Sequence, residues 1–461
     1  MGLHAVGRAA LDLGLALVLS ACTTYGVVEN KPLLPSEGRP GYSLAEFARK
    51  LDQRSDELTL AVAFSGGGTR AAALAYGVMQ ELRDTRVRLN GQDRTLLDVI
   101  SVISSVSGGS FTSAYYGLYG ERLFVDFEER FLRRDIDAAL LRGFLNPLRW
   151  FSSHGRTEMA VAYYQQTLFG DATFADLIRK DAPLILINTS DLSSGARFTF
   201  VQDYFNLLCS DLTSFPLARA VTASSAVPVV FDPVVVQNFG GCARSLPPWL
   251  EAARQHDNDN PNLAMIVHGD TAFENRVAHK YAQFVDGGIT DNLGLRAMLD
   301  TVELIGGAKQ YLQGLGIATP RRIAILSVNA SADTPQGIGA TREAPGIEAT
   351  LNAVTNIQLH RYNVATLQQT EQALKRWAGQ LSTPERPVSS YFIRLSFEDV
   401  PEGPLRRFLN EIPTSFALDA VQVDQLIATG RELLRNNVEF KRLLASLADA
   451  ALATGRPPAA P

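Results

Sequence analysis

The stretch that decides the fold is LTLAVAFSGGGTR, residues 58–70, in which an apolar run ends in three consecutive glycines. Residues 58–64 are apolar except for Thr59, which is the pattern of a strand covered on both faces. Residues 69–82 are rich in Ala, Leu and Met and have the composition of a helix. A strand, a glycine turn and a helix in this order predict one unit of an α/β sheet, with the turn at the carboxyl edge of the strand.

Two further motifs follow strand-like runs in the same way. SVSGG, residues 105–109, comes after the run 99–104, and DGG, residues 286–288, comes after the run 284–285. Ligands of open α/β sheets bind beyond the carboxyl ends of the strands. Three such loops at one edge would bring together main-chain amides, a serine and a carboxylate, which are the groups that an acyl-transfer site needs.

Strand-like runs alternate with helical segments through the middle of the chain. Further strands are predicted at residues 184–188, 197–202, 229–236, 283–286 and 323–329. This alternation predicts an α/β fold of three α/β/α layers, with a mostly parallel central sheet and helices on both of its faces.

Beyond residue 329 the pattern becomes helical. Residues 347–381 predict one long helix, and Asp419 is placed to cap another. The predicted buried faces consist of Ile357, Val364, Leu367 and Leu374 in the first helix and Val423, Leu426, Ile427, Gly430 and Leu434 in the second. We therefore expect a core at residues 56–330 and a helical C-terminal extension, residues 331–461, packed on it.

The bulk composition excludes some functions. The chain has 461 residues, of which 46% are hydrophobic, and its formal net charge is -5. That charge gives no basic surface for nucleic acid, so we expect no nucleic-acid partner. No C-x-x-C or H-E-x-x-H pattern occurs, and we expect neither a metal nor another cofactor.

The N-terminus has the pattern of an export signal. Arg8 precedes the apolar run 13–19, which is too short to span a bilayer and ends in Leu-Ser-Ala-Cys22. That ending resembles a bacterial lipobox, which implies a signal peptide at residues 1–21 and lipidation of the Cys22 thiol. Residues 22–55 would then be a lipidated N-terminus and an extended tether rich in proline and glycine. A plain signal peptide and a buried N-terminal helix are the alternatives.

The residues after Cys22 bear on location. Thr23 and Thr24 follow it, with no Asp at the second position. By resemblance to lipoprotein sorting in diderm bacteria, this favours an anchor in the outer membrane, facing the periplasm of the cell envelope. The two other cysteines, Cys209 and Cys242, form either one disulfide, as exported proteins permit, or two buried thiols, and both alternatives stay open.

Ser107 is the candidate nucleophile. A serine on a strained strand-to-helix turn is exposed and oriented for attack, provided that its neighbours are small. The usual pattern is G-x-S-x-G, and Ser105 stands here where the first glycine belongs. Ser105 and Ser110 are weaker candidates because they lack the flanking geometry. The alternative is a small-residue turn without catalytic function.

The glycine run is the candidate oxyanion hole. Gly66, Gly67 and Gly68 carry no Cβ, so their amides can approach a substrate closely, and they open a helix whose N-terminus favours negative charge. Arg70 either adds positive charge or holds the loop through a carbonyl. A P-loop would need a Gly-Lys-Ser/Thr ending, and a dinucleotide fingerprint would need a glycine where Ala71 stands.

Asp286 is the candidate base. None of the six histidines lies in a glycine-rich motif at a strand end, so the site reads as a Ser–Asp dyad. Burial in an apolar pocket would raise the Asp286 pKa above its ordinary value near 3.9 and improve it as a base. Asp291 is the competing carboxylate. The structural alternative is that the Asp-Gly pair forms a hairpin turn.

The ordered set GGGxR, xxSxG and DGG resembles the patatin-like phospholipase family, and two more stretches agree, residues 220–233 and 412–419. The resemblance covers residues 58–434 and is to an exported or lipoprotein bacterial member. It implies a fold related to the α/β-hydrolases, a Ser107–Asp286 dyad, and an oxyanion hole formed by the amides of residues 66–68 and supported by Arg70. It also implies hydrolysis of lipid acyl esters without a metal, of the phospholipase A or lysophospholipase type.

The implied partners are a phospholipid or other acyl lipid and a membrane surface reached through the lipid anchor. An apolar patch is either an acyl-chain contact or ordinary core; it consists of Phe144, Leu145, Leu148, Trp150 and Phe151. Two rival functions remain. One is a thioesterase or peptidase that uses the same dyad, and the other is a catalytically silent, lipid-binding envelope lipoprotein.

Overall fold

The structure is a computed structural model of the chain. It describes residues 26–34, 41–51, 56–144, 155–179, 181–228, 230–240, 242, 248–255, 261–332 and 342–453. The predicted signal peptide, Cys22 and most of the predicted apolar patch around Trp150 lie outside these residues, and nothing is described of the Phe144 side chain. In the described part of the chain, no helix combines the length and apolar character needed to cross a bilayer.

The elements are as follows. The strands are β1 (Lys31–Pro32), β2 (Thr59–Phe64), β3 (Arg86–Leu89), β4 (Gln92–Thr95), β5 (Ile100–Val106), β6 (Leu184–Asp191), β7 (Arg197–Thr199), β8 (Ser210–Asp211), β9 (Val234–Gln237), β10 (Tyr281–Asp286), β11 (Arg322–Val328) and β12 (Ser389–Leu395). The first α-helices are α1 (Leu44–Leu51), α2 (Gly68–Asp84), α3 (Gly108–Tyr119), α4 (Leu123–Phe127), α5 (Ile136–Phe144), α6 (Arg156–Tyr164), α7 (Gln202–Phe205), α8 (Leu217–Ser224) and α9 (Pro248–Arg254). The later ones are α10 (Pro261–Thr271), α11 (Gly288–Asp291), α12 (Arg296–Leu304), α13 (Ala308–Leu315), α14 (Ile347–Leu381), α15 (Pro404–Glu411), α16 (Ala420–Asn436) and α17 (Val438–Ala453).

The central sheet has the strand order β12-β11-β2-β5-β6-β10-β9, and β7 pairs with the C-terminal half of β6. The five strands from β12 to β6 run parallel. β10 runs antiparallel to both β6 and β9, and β7 is also antiparallel to β6. The prediction of an α/β fold with a mostly parallel sheet is confirmed.

Helices cover both faces of the sheet, as strand β2 illustrates. Leu60, Val62 and Phe64 belong to a core cluster that includes the buried side chains of α2 and α3. Ala61 and Ala63 belong to a second cluster with Leu299 and Trp377, which lie on α12 and α14. Alternate residues of a strand point to opposite faces, so the apolar run of β2 is explained by burial on both sides.

The sheet continues beyond residue 330, where we predicted only a helical extension. β12 pairs in parallel with β11 from Arg322–Ser389 to Val328–Leu395. Its alternate residues Tyr391, Ile393 and Leu395 are buried, which is the pattern of a strand at the edge of a sheet. Helix α14 is therefore the crossover between two parallel strands, and part of the predicted extension belongs to the sheet itself.

The C-terminal helices fulfil part of their prediction. Asp419 caps α16 by accepting the Gln422 amide at 2.8 Å. The predicted stripe of α16 is buried, apart from a partly buried Ile427. In α14, Leu374 is buried, but Ile357 and Val364 are 46% and 56% exposed. The predicted face was wrong there, because the side chains of α14 that are described contact the second cluster from Leu367 onward.

Part of the predicted tether is docked on the core. β1 pairs with β8, and the Asn30 side chain donates to Ser210 Oγ at 2.9 Å. Helix α1 follows, and its Phe47 is buried together with the preceding Tyr42. An extended, unattached tether was therefore the wrong expectation for these stretches. Their apolar and amide side chains have partners in the core that composition alone does not reveal.

Cys209 and Cys242 form a disulfide, with Cα atoms 5.6 Å apart. Of the two alternatives that the sequence left open, the structure contains the bonded one. The disulfide joins the end of the turn after α7 to the chain that follows β9. It therefore closes a loop that includes α8 and β9, two elements that border the candidate site.

Candidate active site

Ser107 lies on a sharp turn between β5 and α3. Its backbone has φ 49° and ψ −122°, a conformation that residues with a side chain rarely adopt. The turn also requires a glycine after the serine, because a Cβ on Gly108 would collide with the Gly68 carbonyl oxygen. A Cβ on Gly109 would lie 2.7 Å from the Ser65 carbonyl oxygen. These contacts explain why small residues follow Ser107.

The main chain of Ser107 is held on both sides. Its amide donates to Ser224 Oγ at 2.9 Å, and that hydroxyl donates to the Asn188 carbonyl oxygen at 2.6 Å. Its carbonyl oxygen accepts both the amide and the hydroxyl of Ser110, at 2.9 and 2.6 Å. The turn is thus fixed through the backbone of Ser107, without the use of its hydroxyl group.

The two weaker serine candidates point into the protein. Ser105 Oγ lies 2.6 Å from Ser113 Oγ and donates to the Leu186 carbonyl oxygen at 3.3 Å. Ser110 bonds to the carbonyl oxygen of Ser107, and both side chains are fully buried. Both hydroxyls are thus held by partners inside the protein, and Ser107 is the only one of the three that is not completely buried, with 5% of its surface exposed.

Asp286 reaches Ser107 through strand pairing. It lies opposite Thr189 on β6, and the neighbouring Asn188 lies opposite Val106 on β5. The Ser107 hydroxyl lies close enough to the Asp286 carboxylate to lower its pKa as a donor. Asp286 Oδ1 also accepts the Gly288 amide at 2.7 Å.

The surroundings of Asp286 raise the pKa of its carboxyl group. Burial raises its pKa from 3.8 to about 6, while the hydrogen bonds from Ser107 and Gly288 oppose that shift. Among the described residues, no histidine is one of the groups that shift this pKa. Nor do the described residues include a cluster of three or more His, Cys, Asp or Glu that could hold a metal ion.

Asp291, the competing carboxylate, has a different position. Its Oδ2 accepts the amides of Arg296 and Ala297, at 2.8 and 3.3 Å, at the beginning of α12. Burial raises its pKa to about 6 as well. A raised pKa alone therefore does not distinguish the two carboxylates, whereas the proximity of Ser107 does, since Ser107 influences the pKa of Asp286 and not that of Asp291.

The glycine loop at residues 66–68 lies beside the elbow, but only part of it is free. The Gly66 amide donates to the Asn292 carbonyl oxygen at 3.0 Å, so it is not available to an oxyanion, contrary to our prediction for this residue. The amides of Gly67 and Gly68 have no acceptor among the described residues. Gly67 has φ 134°, which only glycine adopts readily, and this turns the loop toward α2.

Arg70 fixes the glycine loop through hydrogen bonds to distant parts of the chain. Its Nε donates to the Ala330 carbonyl oxygen at 2.9 Å, and its two terminal nitrogens donate to the Ile412 carbonyl oxygen and to Thr414 Oγ1. Burial lowers its pKa to about 10. Since its donors bond to the protein itself, Arg70 has the second of its two predicted roles, that of holding the loop through carbonyls.

Several residues of the site were missed by sequence reasoning. Asn188 and Ser224 fix the elbow, and Asn292 joins the loop of Asp286 to the glycine loop. The Asn292 side chain also donates to Ser331 Oγ at 3.1 Å, just beyond β11. Asn188 did give a signal, since it is a polar residue in a fully buried strand. The other two give no signal before the strands are paired.

An ionic cluster lies behind Asn188. Asn188 Oδ1 accepts the Thr199 hydroxyl at 2.8 Å, and Thr199 in turn accepts a bond from Arg197. Arg197 and Arg296 both pair with Asp300, at 3.5 and 3.1 Å. The elbow is thus connected through side chains to the start of α12, which Asp291 caps.

Comparison with known proteins gives the family. The sequence profile described as patatin-like phospholipase matches residues 62–299, more than half of the chain. The chain belongs to this family, which places it among the lipid hydrolases. No curated protein sequence matches it.

Solved structures show distant likeness. Human GIVD cytosolic phospholipase A2, bound to methyl gamma-linolenyl fluorophosphonate, is 12% identical, with a TM-score of 0.42 over 93% of this chain and 70% of that one. VipD from Legionella pneumophila is 12% identical, with a TM-score of 0.31 over 93% and 72%. ExoU of Pseudomonas aeruginosa, in complex with SpcU, is 13% identical, with a TM-score of 0.21 over 92% and 98%. These similarities are too distant to support an argument about function.

Proposed function

We propose that this lipid hydrolase cleaves the acyl esters of phospholipids or lysophospholipids through a Ser107–Asp286 dyad. One observation carries the proposal: the hydroxyl of a serine on a strained elbow lies beside a buried carboxylate and influences its pKa as a donor. Because the pKa of that carboxylate is raised to about 6, it accepts a proton more readily than an ordinary Asp.

In the first step Ser107 Oγ attacks the ester carbonyl carbon and its proton passes to Asp286. The carbonyl oxygen becomes an oxyanion, which the amides of Gly67 and Gly68 receive. Loss of one such donor in other enzymes costs about 3 kcal/mol of transition-state stabilisation. The tetrahedral intermediate then collapses, the ester C–O bond breaks, and the leaving alcohol takes the proton from Asp286.

In the second step water attacks the acyl-Ser107 ester. Asp286 accepts a proton from the water, and the same two amides receive the second oxyanion. Collapse releases the fatty acid and returns the proton to Ser107 Oγ. No other residue has to change its protonation state in this cycle.

We also propose that Cys22 carries a lipid anchor and that the protein works in the cell envelope, with the anchor in the outer membrane and the enzyme facing the periplasm. The Leu-Ser-Ala-Cys22 ending supports this. The disulfide between Cys209 and Cys242 supports an oxidising compartment, since disulfides are rare in the bacterial cytoplasm.

Labelling with a fluorophosphonate tests the dyad. The full-length protein should be labelled on Ser107, as shown by peptide mass, and Ser107→Ala should not be labelled. Ser105→Ala is the matched control, since Ser105 lies two residues away with its hydroxyl buried, and it should be labelled like the wild type. A wild type that resists the reagent contradicts the proposal and favours a silent lipid-binding lipoprotein.

Substrate rates test the leaving group. We expect phospholipid or lysophospholipid to be cleaved faster than an acyl thioester or a peptide. The rates are measured with full-length protein that reacts with the fluorophosphonate. Faster cleavage of the thioester would assign the same dyad to a thioesterase.

A further inference from the structure

A segment from the C-terminal part of the chain crosses the glycine loop. Residues 412–418 connect α15 to α16 without regular structure, and we call them the strap. The carbonyl oxygen of Ser415 accepts the Thr69 amide at 2.9 Å. A Cβ on Gly68 would lie 2.5 Å from that oxygen and 3.1 Å from the Ser415 nitrogen. The main chain of Ser415 therefore lies directly against Gly68, whose amide is one of the two proposed oxyanion donors.

The bond to Thr69 limits which amides of the loop can bind an oxyanion. The first amides of a helix have no acceptor within that helix, and α2 begins at Gly68. The Thr69 amide is occupied by Ser415, whereas the amides of Gly67 and Gly68 have no acceptor among the described residues. The strap therefore fixes which amides remain available to an oxyanion.

Arg70 attaches the beginning of the strap to α2. Its terminal nitrogens donate to the Ile412 carbonyl oxygen and to Thr414 Oγ1, the latter at 3.0 Å. Arg70 and Ile412 are both buried. Because Thr69 and Arg70 both bond to the strap, a displacement of the strap would move the glycine loop that precedes them.

Asp137, in the first turn of α5, holds the strap at Ser415. Asp137 Oδ2 accepts the Ser415 hydroxyl at 2.6 Å and the Phe416 amide at 3.1 Å. Beside it, the Ile136 amide donates to the Phe416 carbonyl oxygen at 3.3 Å. The Ser415 hydroxyl oxygen also accepts the Ala417 amide at 2.9 Å. Hydrogen bonds from a hydroxyl to a carboxylate are short and strong. These bonds fix the same residue that lies against the glycine loop.

The strap also contacts the helix that follows the nucleophile. The rings of Phe416 and Phe111 lie 5.8 Å apart in an edge-to-face arrangement, which is favourable for aromatic pairs. Phe111 is fully buried in α3, the helix that begins directly after Ser107. The strap thus touches both elements that carry proposed reacting groups, the glycine loop and the elbow.

We propose that Asp137 and Ser415 are positioning residues of the oxyanion hole: Asp137 holds Ser415, and Ser415 holds the amides of Gly67 and Gly68 where the oxyanion forms. This rests on the proposed function. An oxyanion hole stabilises the transition state because its donors are held in place beforehand, so a loop that can move loses part of that stabilisation. Neither positioning residue lies in a glycine-rich motif of the site.

Asp137→Ala removes the acceptor that holds the strap. Its kcat on a soluble ester should fall about fivefold, as expected for the loss of a hydrogen bond near the surface, with little change in KM. A trifluoromethyl ketone gives a second measurement: Ser107 Oγ adds to its carbonyl carbon, the proton passes to Asp286, and the ketone oxygen becomes a bound oxyanion. The ketone should bind about fivefold more weakly, since it depends on the same amides. Asp137→Asn keeps an oxygen acceptor and should restore most of both losses.

Asp135→Ala is the matched control. Asp135 precedes α5, and its carboxylate caps that helix by accepting the Ala138 amide at 2.9 Å, but it bonds to no described residue of the strap. This variant should have the kcat of the wild type and bind the ketone equally well. Equal losses in Asp135→Ala and Asp137→Ala would assign the effect to the stability of α5 and overturn the proposal. A loss in Asp137→Ala that is confined to KM would also overturn it.

Amide hydrogen exchange separates this proposal from the proposed function. In peptides that cover residues 65–71, Asp137→Ala should exchange faster than the wild type, because the acceptor of the Thr69 amide is no longer fixed, and Asp135→Ala should not. If Ser107 is labelled by the fluorophosphonate but Asp137→Ala exchanges and reacts like the wild type, the dyad stands and the strap proposal is wrong. If the wild type cleaves no ester and resists the label, the dyad proposal fails, and the exchange result still decides whether Asp137 fixes the glycine loop.

Discussion

The pKa of Asp286 makes the proposed reaction dependent on pH. Burial raises this pKa to about 6, and only the ionised carboxylate can accept the Ser107 proton. We therefore expect kcat/KM on a soluble ester to rise with pH and to reach half of its maximum near the Asp286 pKa. Asp286→Asn should abolish activity at every pH. A wild-type rate that is constant between about pH 5 and pH 7 would assign the base to another group.

Asn292 is predicted to act as a positioning residue. Its side chain donates to Ser331 Oγ and packs between the two loops, since a Cβ on Gly66 or on Gly288 would lie 2.8 or 3.2 Å from Asn292 Oδ1. Asn292→Ala should lower kcat about tenfold, as expected for the loss of one buried hydrogen bond of 1–2 kcal/mol, with little change in KM.

Asn363→Ala is its matched control. Asn363 is also buried and its side chain also donates to Ser331 Oγ, at 3.5 Å, but it bonds to neither loop of the site. Equal losses of kcat in the two variants would mean that Asn292 contributes to general stability rather than to the position of the loops.

For single residues, the sequence predicts the functional side chains that belong to a motif. It misses those that act on parts of the chain distant in sequence. Ser107 follows β5 and Asp286 ends β10, each within a glycine-rich pattern, and in the structure Ser107 is near enough to Asp286 to influence its pKa. Asn292 and Ser224 act through main-chain partners that are distant in the sequence. Gly66 looks equivalent to its two neighbours in the sequence, and only the position of Asn292 shows that its amide is occupied.

The close contact of the elbow with the glycine loop links two elements, β5–α3 and β2–α2. A methyl group on Gly108 would collide with the Gly68 carbonyl oxygen, a residue whose amide is a proposed oxyanion donor. Gly108→Ala should therefore reduce kcat by two orders of magnitude or more, about the loss seen when an oxyanion donor is removed.

Gly379→Ala tests whether a methyl group added to any glycine would lower kcat as Gly108→Ala is expected to do. Gly379 lies in α14, and a Cβ there meets nothing within 4 Å. This variant should retain full activity and gain up to about 1 kcal/mol of stability from helix propensity. Full activity in Gly108→Ala would show that the elbow and the loop can separate without consequence.

For helices and strands, a long hydrophobicity pattern predicts the element itself, but it does not predict which of its surfaces contacts another element. The unit around residue 66 was predicted because burial on both faces makes its strand apolar after Thr59, and the unit around residue 107 because Val and Ile precede a turn of small residues. β12 was missed because it lies at the sheet edge, where exposed and buried residues alternate, and because a helix of 35 residues precedes it. The exposure of Ile357 likewise depends on where the sheet ends beneath α14, which periodicity does not contain.

The disulfide is expected to stabilise the whole molecule. It joins cysteines 33 residues apart, and constraint of a loop of that length in the unfolded chain contributes about 3–4 kcal/mol in the chain-entropy model. Reduction should lower Tm, measured by calorimetry with and without dithiothreitol. The double variant Cys209→Ser, Cys242→Ser should melt at the reduced wild-type temperature in both conditions. A wild-type Tm that is insensitive to reductant would contradict this.

Asp270, a buried carboxyl group whose pKa is influenced by Arg197 and Asp300 of the ionic cluster, is expected to make stability depend on pH. Burial raises the pKa of Asp270 to about 7, and Arg197 opposes that shift. The folded protein therefore favours the protonated form, so the contribution of Asp270 to stability is complete below its unfolded pKa near 3.9 and is lost as pH rises through about 7.

Asp270→Asn keeps that side chain neutral at every pH. Its Tm should exceed that of the wild type at about pH 8 by more than it does at about pH 5. The exposed Asp449→Asn serves as the control and should show the same small difference at both values. A Tm difference for Asp270→Asn that grows toward low pH would contradict the direction of the shift.

Strands β5 and β6 pair directly from Val102–Leu184 to Val106–Asn188, although residues 107–183 lie between them in the chain. The distance from nucleophile to base is thus set by neighbouring strands and not by the long excursion that separates them. Lengthening such an excursion costs little, since closure entropy grows only with the logarithm of its length. Over evolutionary time, the helices between β5 and β6 can therefore change and admit other head groups while the reacting pair stays in place. Enzymes with this fold can then differ in substrate specificity and share one reaction mechanism.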